Sequence, residues 1–301
     1  MIAFTMLSGL SLLLDSIHLM FYGVLRGHQQ LQVEAVGMFG GQLVVAFVGG
    51  LVLYLSPSLT VLLGALVAGS AFNVCVSGFV VAKRFGARLF APTVDVAFLK
   101  SLFVTALPFA LAAIFVKVYS YVDTVFISKL LDTTAVGLYS IAYKLTYAFQ
   151  FLPLAFTAAL YPTFSAMIKQ EPDKLAEVFR RSMWYMMMIA TPIVLGLWLI
   201  ATPAVLLAGN VYRDAAPILS VLIFVLLPIF LDFPIGSLLN AAGKQTTKTV
   251  IMGGTMILNI LFNALFIPTF GVVGAAYAAL ISFVFMFVTG FFFVPRIIKG
   301  F

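Results

Sequence analysis

Five ionisable side chains lie inside long apolar stretches of the sequence, where a membrane would surround them. They are Asp15, Lys117, Asp123, Lys144 and Asp232. An ionisable group at membrane depth is costly unless it is paired or faces water, so each of these is a functional candidate by default. The chemistry that they offer is charge pairing and the binding of a proton, a cation or a charged solute.

The two lysines among these candidates differ in whether they can pair with Asp123. Lys144 comes within reach of Asp123 if their apolar stretches are antiparallel neighbours, so we expect an ion pair between them. Lys117 and Asp123 are six residues apart, which places them about 120° apart around a helix. Lys117 therefore faces either a remote carboxylate or an aqueous cavity, and the sequence leaves both open.

Asp15 and Asp232 each lie near the inner end of an apolar stretch. We expect them to close an inner gate against basic residues such as Arg26 or Lys244. A second interpretation makes the two carboxylates proton or cation sites. Asp15, Asp232 and Arg26 are thus the candidates for gating or ion coupling.

Tyrosines crowd the region around the two lysines, at positions 119, 121, 139, 143 and 147. A tyrosine ring can stack on a sugar or hydrogen-bond its hydroxyls, whereas tyrosines near a membrane interface commonly form an aromatic belt. For Tyr121 and Tyr143 both interpretations stay open. The other three are more typical of a belt.

Patterns typical of enzymes and metal sites are missing from the sequence. The two histidines, His18 and His28, are ten residues apart, and the single cysteine, Cys75, excludes an intrachain disulfide. There is no glycine-rich dinucleotide motif, phosphate-binding loop or nucleophile elbow. We expect no catalytic residues, no bound metal and no cofactor.

The composition excludes a water-soluble protein. Of the 301 residues, 63% are hydrophobic and 9% are charged, whereas soluble domains average about 45–50% and about 25%. The net charge is +7, but the basic residues form no dense cluster with interleaved aromatics. Basic loops in a membrane protein indicate orientation, so we expect no nucleic-acid partner.

Nine apolar stretches are long enough to cross a membrane as helices, which takes about 20 residues each. They are too long and continuous for barrel strands. The sequence therefore predicts an all-α, polytopic membrane helix bundle. The predicted spans are 3–22, 33–55, 60–82, 102–127, 136–161, 183–201, 216–239, 249–267 and 272–294.

Basic residues in the loops are strongly asymmetric. If the N-terminus lies outside, only Lys129 and Arg213 fall in outer loops, which predicts an outside N-terminus and a cytoplasmic C-terminus. The thirteen on the inner side are Arg26, Lys83, Arg84, Arg88, Lys100, Lys169, Lys174, Arg180, Arg181, Lys244, Lys248, Arg296 and Lys299.

A weak internal repeat relates the first and last spans. At an offset of 216 positions, Gly27, Gln29 and Gly37 meet Gly243, Gln245 and Gly253. If spans one to three repeat as spans seven to nine, the symmetric parent has twelve spans, three of them upstream of Met1. We expect residues 1–98 to form a partial N-terminal bundle of three helices and residues 99–301 a C-terminal bundle of six.

Two pairs at helical spacing predict local contacts. Asn259 and Asn263, at i and i+4, are placed to share one interhelical hydrogen-bonding partner. Glu177 and Arg181, at the same spacing, predict an ion pair on a solvated helix entry.

Diffuse motifs recur along nearly the whole chain: LRG at 25–27, DTVFIS at 123–128, GLYSIAYK at 137–144, YP at 161–162, NILFN at 259–263, IP at 267–268 and GVVGAA at 271–276. With these motifs the chain resembles one family, the polysaccharide-exporter and oligosaccharide-flippase (Wzx-like) branch of the multidrug/oligosaccharidyl-lipid/polysaccharide (MOP) superfamily.

The resemblance implies two pseudo-symmetric helical bundles around a cavity that opens alternately to each side of the cytoplasmic membrane. The implied activity is flipping or export of a lipid-linked oligosaccharide or polysaccharide precursor. A cationic cavity suits a pyrophosphate-linked lipid sugar. Substrate binding is accordingly expected at Lys117, Lys144, Tyr121, Tyr143 and Asp123.

The expected partners are the lipid-linked glycan, membrane lipid and glycan-assembly proteins. The sequence leaves the oligomeric state open. Two alternatives remain. One is a cation-coupled multidrug (MATE-like) exporter, which would carry an acid-dominated cavity. The other is a fragment that transports nothing alone, because the first three helices of the family pattern are absent.

Overall fold

The structure, a computed structural model, describes residues 2–28, 30–55, 59–86 and 95–298, and within these ranges it contains no strand. Three positions used above, Gln29, Arg88 and Lys299, lie outside the described residues. The α-helices are α1 (Ile2–Gly27), α2 (Leu31–Leu55), α3 (Leu59–Phe85), α4 (Val96–Leu130), α5 (Thr133–Tyr147), α6 (Phe151–Gln170), α7 (Pro172–Leu199), α8 (Ala201–Leu206), α9 (Ala216–Leu222), α10 (Leu226–Ala241), α11 (Gln245–Phe270) and α12 (Val272–Phe292).

Within the described ranges, nine helical segments are long and apolar enough to cross a membrane. This confirms the prediction of an all-α, polytopic membrane protein. The segments are Phe4–Gly27, Gln32–Leu55, Val61–Phe85, Ala106–Leu130, Thr133–Gln170, Pro172–Leu199, Asn210–Ala241, Gln245–Phe270 and Val272–Arg296.

Two of these spans are interrupted by a short 3-10 turn. Ala148–Gln150 separates α5 from α6, and Ile223–Val225 separates α9 from α10. Pro153 and Pro228 follow these turns, each as the third residue of the next helix. A proline ring clashes with the carbonyl four residues earlier, which is residue 149 or 224, inside the turn in both cases. The prolines thus explain why each span is built from two helices.

The chain divides into two compact units, Met1–Asp95 and Val96–Phe301. In the first unit, α3 packs against both α1 and α2. Its small core contains the buried residues Phe21, Tyr22, Leu25 and Val81.

The second unit is organised around α10, which packs against α6, α7 and α12. Most side chains of this helix are buried, including a run from Pro234 to Leu239. A helix that is apolar on all sides is typical of the centre of a bundle. Around it, α11 packs against α12 and α4, and α5 packs against α9.

The predicted repeat has a parallel in the packing order. In the first unit α1 and α2 both pack on α3, and in the second unit α10 and α11 both pack on α12. The glycines at the corresponding bends differ, because Gly243 adopts a positive φ of 69° whereas Gly27 ends α1 without one. The repeat itself stays a prediction.

Candidate functional site

A cavity of about 480 Å³ lies inside the second unit. Side chains from α4, α5, α6, α10, α11 and α12 line it, so most of the unit's long helices contribute to it. A polar and aromatic cavity in an apolar bundle is the default candidate for a binding site. Its polar lining consists of Tyr119, Ser120, Tyr143, Tyr147, Gln150, Thr157, Tyr161, Asp232, Ser237, Asn240 and Lys248.

Helix α5 supplies an aromatic wall to this cavity. The helix begins at an N-cap where the Asp132 side chain accepts a hydrogen bond from the backbone N–H of Ala135 at 2.7 Å. From that start, the i, i+4 spacing places Tyr143 and Tyr147 on one face, where their rings stack with centroids 4.0 Å apart. Tyr119 of α4 completes the wall and packs edge-on against Phe283.

An ion pair between α10 and α11 provides the cavity's charge. The Lys248 ammonium donates to the Oδ2 atom of Asp232 at 2.5 Å, and the two side chains are only 12% and 11% exposed. Gly236 of α10 faces the lysine stem, and a Cβ atom there would lie 3.3 Å from its Cε atom. The absence of a side chain at Gly236 lets the lysine lie across α10.

The partner of Asp232 differs from the expected one. The expected partners were basic loop residues such as Arg26 or Lys244, but the carboxylate binds Lys248. Lys248 was predicted to lie in a loop. It lies in the first turn of α11 because α10 ends at Ala241, Gly243 makes the turn, and the next helix already begins at Gln245.

Asp123 is the centre of a buried polar cluster that joins three helices. It is 2% exposed, and its carboxylate accepts one hydrogen bond from the Tyr139 hydroxyl and another from the Asn263 amide, both at 2.6 Å. Asn263 also donates to the carbonyl oxygen of Asn259 at 2.8 Å. The asparagine at 263 thus has an interhelical partner, as its spacing indicated, and that partner is Asp123.

The expected ion pair between Lys144 and Asp123 is wrong. Tyr139 and Lys144 are five residues apart, which turns them about 140° away from each other on α5. Since Tyr139 points into the bundle and is 1% exposed, Lys144 points out of it and is exposed.

The other predicted substrate contacts divide between the cavity and the surface. Tyr143 lines the cavity. Tyr121 is 59% exposed, and the Lys117 ammonium lies over its ring, 5.8 Å from the centroid. Lys117 and Lys144 lie outside the cavity lining, and their role in substrate binding stays a prediction.

The first unit contains a second polar cavity of about 430 Å³, formed by α1, α2 and α3. The Ser70 hydroxyl donates to the Oδ1 atom of Asp15 at 2.6 Å, and the Nδ1 atom of His18 is 3.6 Å from the same oxygen. Arg26 pairs with Glu34 of α2 instead of with Asp15. Asp15 and Asp232 therefore have different kinds of partner.

Several cavity residues, among them Tyr119, Tyr147 and Lys248, were not proposed as site residues from the sequence. Tyr119 and Tyr147 were assigned to an aromatic belt, yet both line the cavity. Lys248 was counted as a loop residue. The usable signal was Gly243, since a glycine after a helix end predicts that the next helix begins shortly after it.

Comparison with known families decides the affiliation of the chain. Residues 1–168, more than half of the chain, match the family described as polysaccharide biosynthesis protein. The chain belongs to this family. Residues 108–265 also match the family described as MatE. Together the two matches confirm the resemblance to the MOP superfamily.

Curated relatives of this family member include two archaeal proteins named as flippases. The chain is 31% identical over 171 residues to "Probable flippase AglR" of Haloferax volcanii, covering 54% of the chain and 35% of the relative. It is 26% identical over 170 residues to "Probable low-salt glycan biosynthesis flippase Agl15" of the same organism, covering 55% and 35%. The chain thus spans about a third of the length of the curated relatives it matches.

A solved structure with the same fold is that of a point mutant of the Vibrio cholerae MATE transporter VcmN. The TM-score is 0.74 at 16% identity, covering 94% of this chain and 66% of that one. At this identity the likeness shows the fold alone. It confirms the MOP-type helical architecture for this member of the polysaccharide biosynthesis protein family.

Proposed function

We propose that this chain is a membrane transporter that flips or exports lipid-linked oligosaccharide or polysaccharide precursors by alternating access. The observation that carries the proposal is the cavity of the second unit, which combines stacked tyrosines with a buried ion pair inside a family member. The names of the two Haloferax relatives support the same activity.

The cavity chemistry suits the parts of such a substrate that lipid cannot solvate. Tyrosine rings such as those of Tyr143 and Tyr147 offer apolar faces to sugar rings, and their hydroxyls hydrogen-bond to sugar hydroxyls. Lys248 offers a positive charge to a phosphate. The lipid tail stays in the bilayer, so membrane lipid is the second partner that we propose.

The further site assignments are part of the proposal. Lys117, Lys144, Tyr121, Tyr143 and Asp123 are candidates for substrate contact. Asp15, Asp232 and Arg26 are candidates for gating or ion coupling.

The orientation of the chain is proposed from its loops. Thirteen of the seventeen basic residues fall on one side of the predicted spans, which supports a cytoplasmic C-terminus and an outside N-terminus in the cytoplasmic membrane. Glycan-assembly proteins on that membrane are the further partners that we propose.

A cation-coupled multidrug exporter is the second candidate function. The match of residues 108–265 to the MatE family and the fold of the VcmN structure favour it. The cavity distinguishes the two candidates chemically, because its lining pairs one carboxylate with one lysine and is not acid-dominated.

Complementation tests the proposal against this alternative. The chain is expressed in a strain that lacks its own oligosaccharide flippase, and separately in a strain that lacks its drug exporters. We expect surface glycan to return in the first strain and drug sensitivity to persist in the second. Restored drug resistance without surface glycan, at equal abundance of the inserted protein, would contradict the flippase proposal.

A further inference from the structure

We propose that Lys248 and Asp232 form an exchangeable ion pair that couples anion binding to cation binding. In this scheme a phosphate group of the lipid-linked substrate replaces Asp232 as the partner of Lys248. The released carboxylate then binds one cation, either a proton or a sodium ion. The inference rests on the proposed function and adds the residues that link substrate to coupling ion.

The first support is the isolation of the pair. Among the described residues that line the cavity, Lys248 is the one cation and Asp232 the one anion. Lys248 makes a single ionic contact, with the Oδ2 atom of Asp232. No second charged group of the lining competes for either partner, so an entering anion has one cation to bind.

The second support is that the pair is only half satisfied. The Oδ1 atom of Asp232 is buried and has no hydrogen-bonding partner among the described residues. A buried ionic pair stabilises a fold well only when its remaining hydrogen-bonding positions are also occupied. Asp232 therefore retains a free acceptor atom at which a proton or a metal cation can bind.

The third support is the close approach of backbone to the pair. Gly290 of α12 faces the carboxylate, and a Cβ atom there would lie 3.5 Å from Oδ1. A Cβ atom at Gly236 would lie 3.3 Å from the Cε atom of Lys248. The two glycines let the pair lie against both helix backbones, and a lysine has a flexible stem with three rotatable donors, so its ammonium can turn to a new partner while the helices stay in place.

Charge balance at membrane depth then links the two binding events. With the pair intact the cavity lining is neutral. When a phosphate takes Lys248, Asp232 becomes a buried carboxylate without a partner, which is unfavourable until a cation joins it. Anion binding therefore favours cation uptake, and by reciprocity the cation favours anion binding.

The groups that face Asp232 across the cavity are few. They are Lys248 on α11, Tyr119 on α4, Tyr143 and Tyr147 on α5, and Tyr161 on α6. Two further helices, α7 and α12, pack against α10, and their described residues add no titratable side chain to the lining. Asp232 is thus the group whose replacement should remove the dependence on the cation.

Binding of geranyl diphosphate to the purified chain in detergent, measured by calorimetry, tests the exchange. A hydrogen bond to a charged group is strong enough that K248Q should weaken binding by about tenfold or more. D232N should tighten binding, because it removes the group that competes for the lysine. Geraniol, which lacks the phosphates, should bind all variants equally.

Two comparisons identify the cation. In the wild type, binding should strengthen as the proton concentration is raised if the cation is a proton. It should strengthen when sodium chloride replaces choline chloride if the cation is sodium. D232N should lose the response, and its remaining pH dependence reports titration of the diphosphate alone. A wild type that responds to neither cation would overturn the coupling.

Matched variants keep the test decisive. The exposed pair Glu177–Arg181 on α7 has the same charges outside the cavity, so E177Q and R181Q should leave binding unchanged. If K248Q fails to fold because Asp232 is left unpaired, the double variant D232N/K248Q removes that cause. It should bind geranyl diphosphate about tenfold more weakly than D232N.

Equal weakening by D232N and K248Q would make the pair structural and overturn the exchange. Glycan export together with equal diphosphate binding in all variants would overturn the exchange while leaving the proposed function intact. Failure of the proposed function gives a different result. The variants then show the expected pattern of diphosphate binding, but the chain exports no glycan.

Discussion

Among the described residues, Asp123 has the only carboxylate that joins α4, α5 and α11, and the Tyr139 hydroxyl donates a hydrogen bond to it. Removal of this hydroxyl should therefore lower the stability of the protein by a measurable amount. Tyr139→Phe deletes the group that donates to Asp123 at 2.6 Å and leaves the ring in place. That distance falls in the range of hydrogen bonds to an ionised carboxylate, which are roughly twice as strong as neutral ones.

The size of the loss in unfolding free energy distinguishes a hydrogen bond to a charged group from an average hydrogen bond between membrane helices. Hydrogen bonds to charged groups contribute about 1.5–3 kcal/mol, whereas interhelical hydrogen bonds in membrane proteins average about 0.6 kcal/mol. Because Asp123 is 2% exposed and no lysine of the described ranges pairs with it, the deleted bond cannot be replaced by a neighbouring cation. We expect Tyr139→Phe to lower the free energy of unfolding by about 1.5–3 kcal/mol.

Reversible unfolding in bicelles measures this loss, with Tyr277→Phe as the matched control. Tyr277 is 39% exposed on α12, so the control should change the free energy of unfolding by less than about 0.5 kcal/mol. A double-mutant cycle with Asp123→Asn isolates the coupling between the two residues. Equal stability of Tyr139→Phe and the control would refute the cluster.

Three further predictions concern other parts of the chain. Gly274→Ala places a Cβ atom against the backbone carbonyl of residue 266, so it should lower the free energy of unfolding by about 1–3 kcal/mol and reduce the melting temperature. The control Gly196→Ala, in open space on α7, should leave the melting temperature unchanged or raise it. Glu34→Gln should cost less than about 1 kcal/mol in chemical unfolding, because it leaves unpaired only the half-exposed arginine of the Arg26–Glu34 pair, and a loss above about 2 kcal/mol would show a buried pair. Lys117→Ala should abolish glycan export while the protein inserts, because an exposed lysine at membrane depth is placed for an aqueous path or a charged substrate; normal surface glycan at equal abundance would remove Lys117 from the site.

The number and type of the membrane spans could be predicted because they depend on run length alone. Twenty apolar residues without a charge have one stable form in lipid, a helix. The interior of two spans was less accessible. The turns before Pro153 and Pro228 result from the clash between each proline ring and the carbonyl four residues earlier. Hydropathy averaged over a window of residues does not detect such a clash.

The partners of the charged residues could be predicted only in part. Asp123 and Asp232 could be identified from the sequence because they lie inside apolar stretches, but the residues that each of them contacts could not. Lys144 was paired with Asp123 on reach alone, and its direction around α5 excludes that contact. Lys248 was overlooked because its place depends on where α11 begins, and helix boundaries are the least certain feature of a sequence.

The most direct test of the proposed function is a flipping assay in vesicles that contain the purified chain. A polyprenyl-diphosphate-linked oligosaccharide is placed in both leaflets, and a membrane-impermeant lectin captures the molecules that reach the outside. We predict capture of the whole pool over time in the presence of the chain, and of the outer-leaflet pool alone in vesicles without protein. Capture confined to the outer pool with the folded, inserted chain would contradict the account.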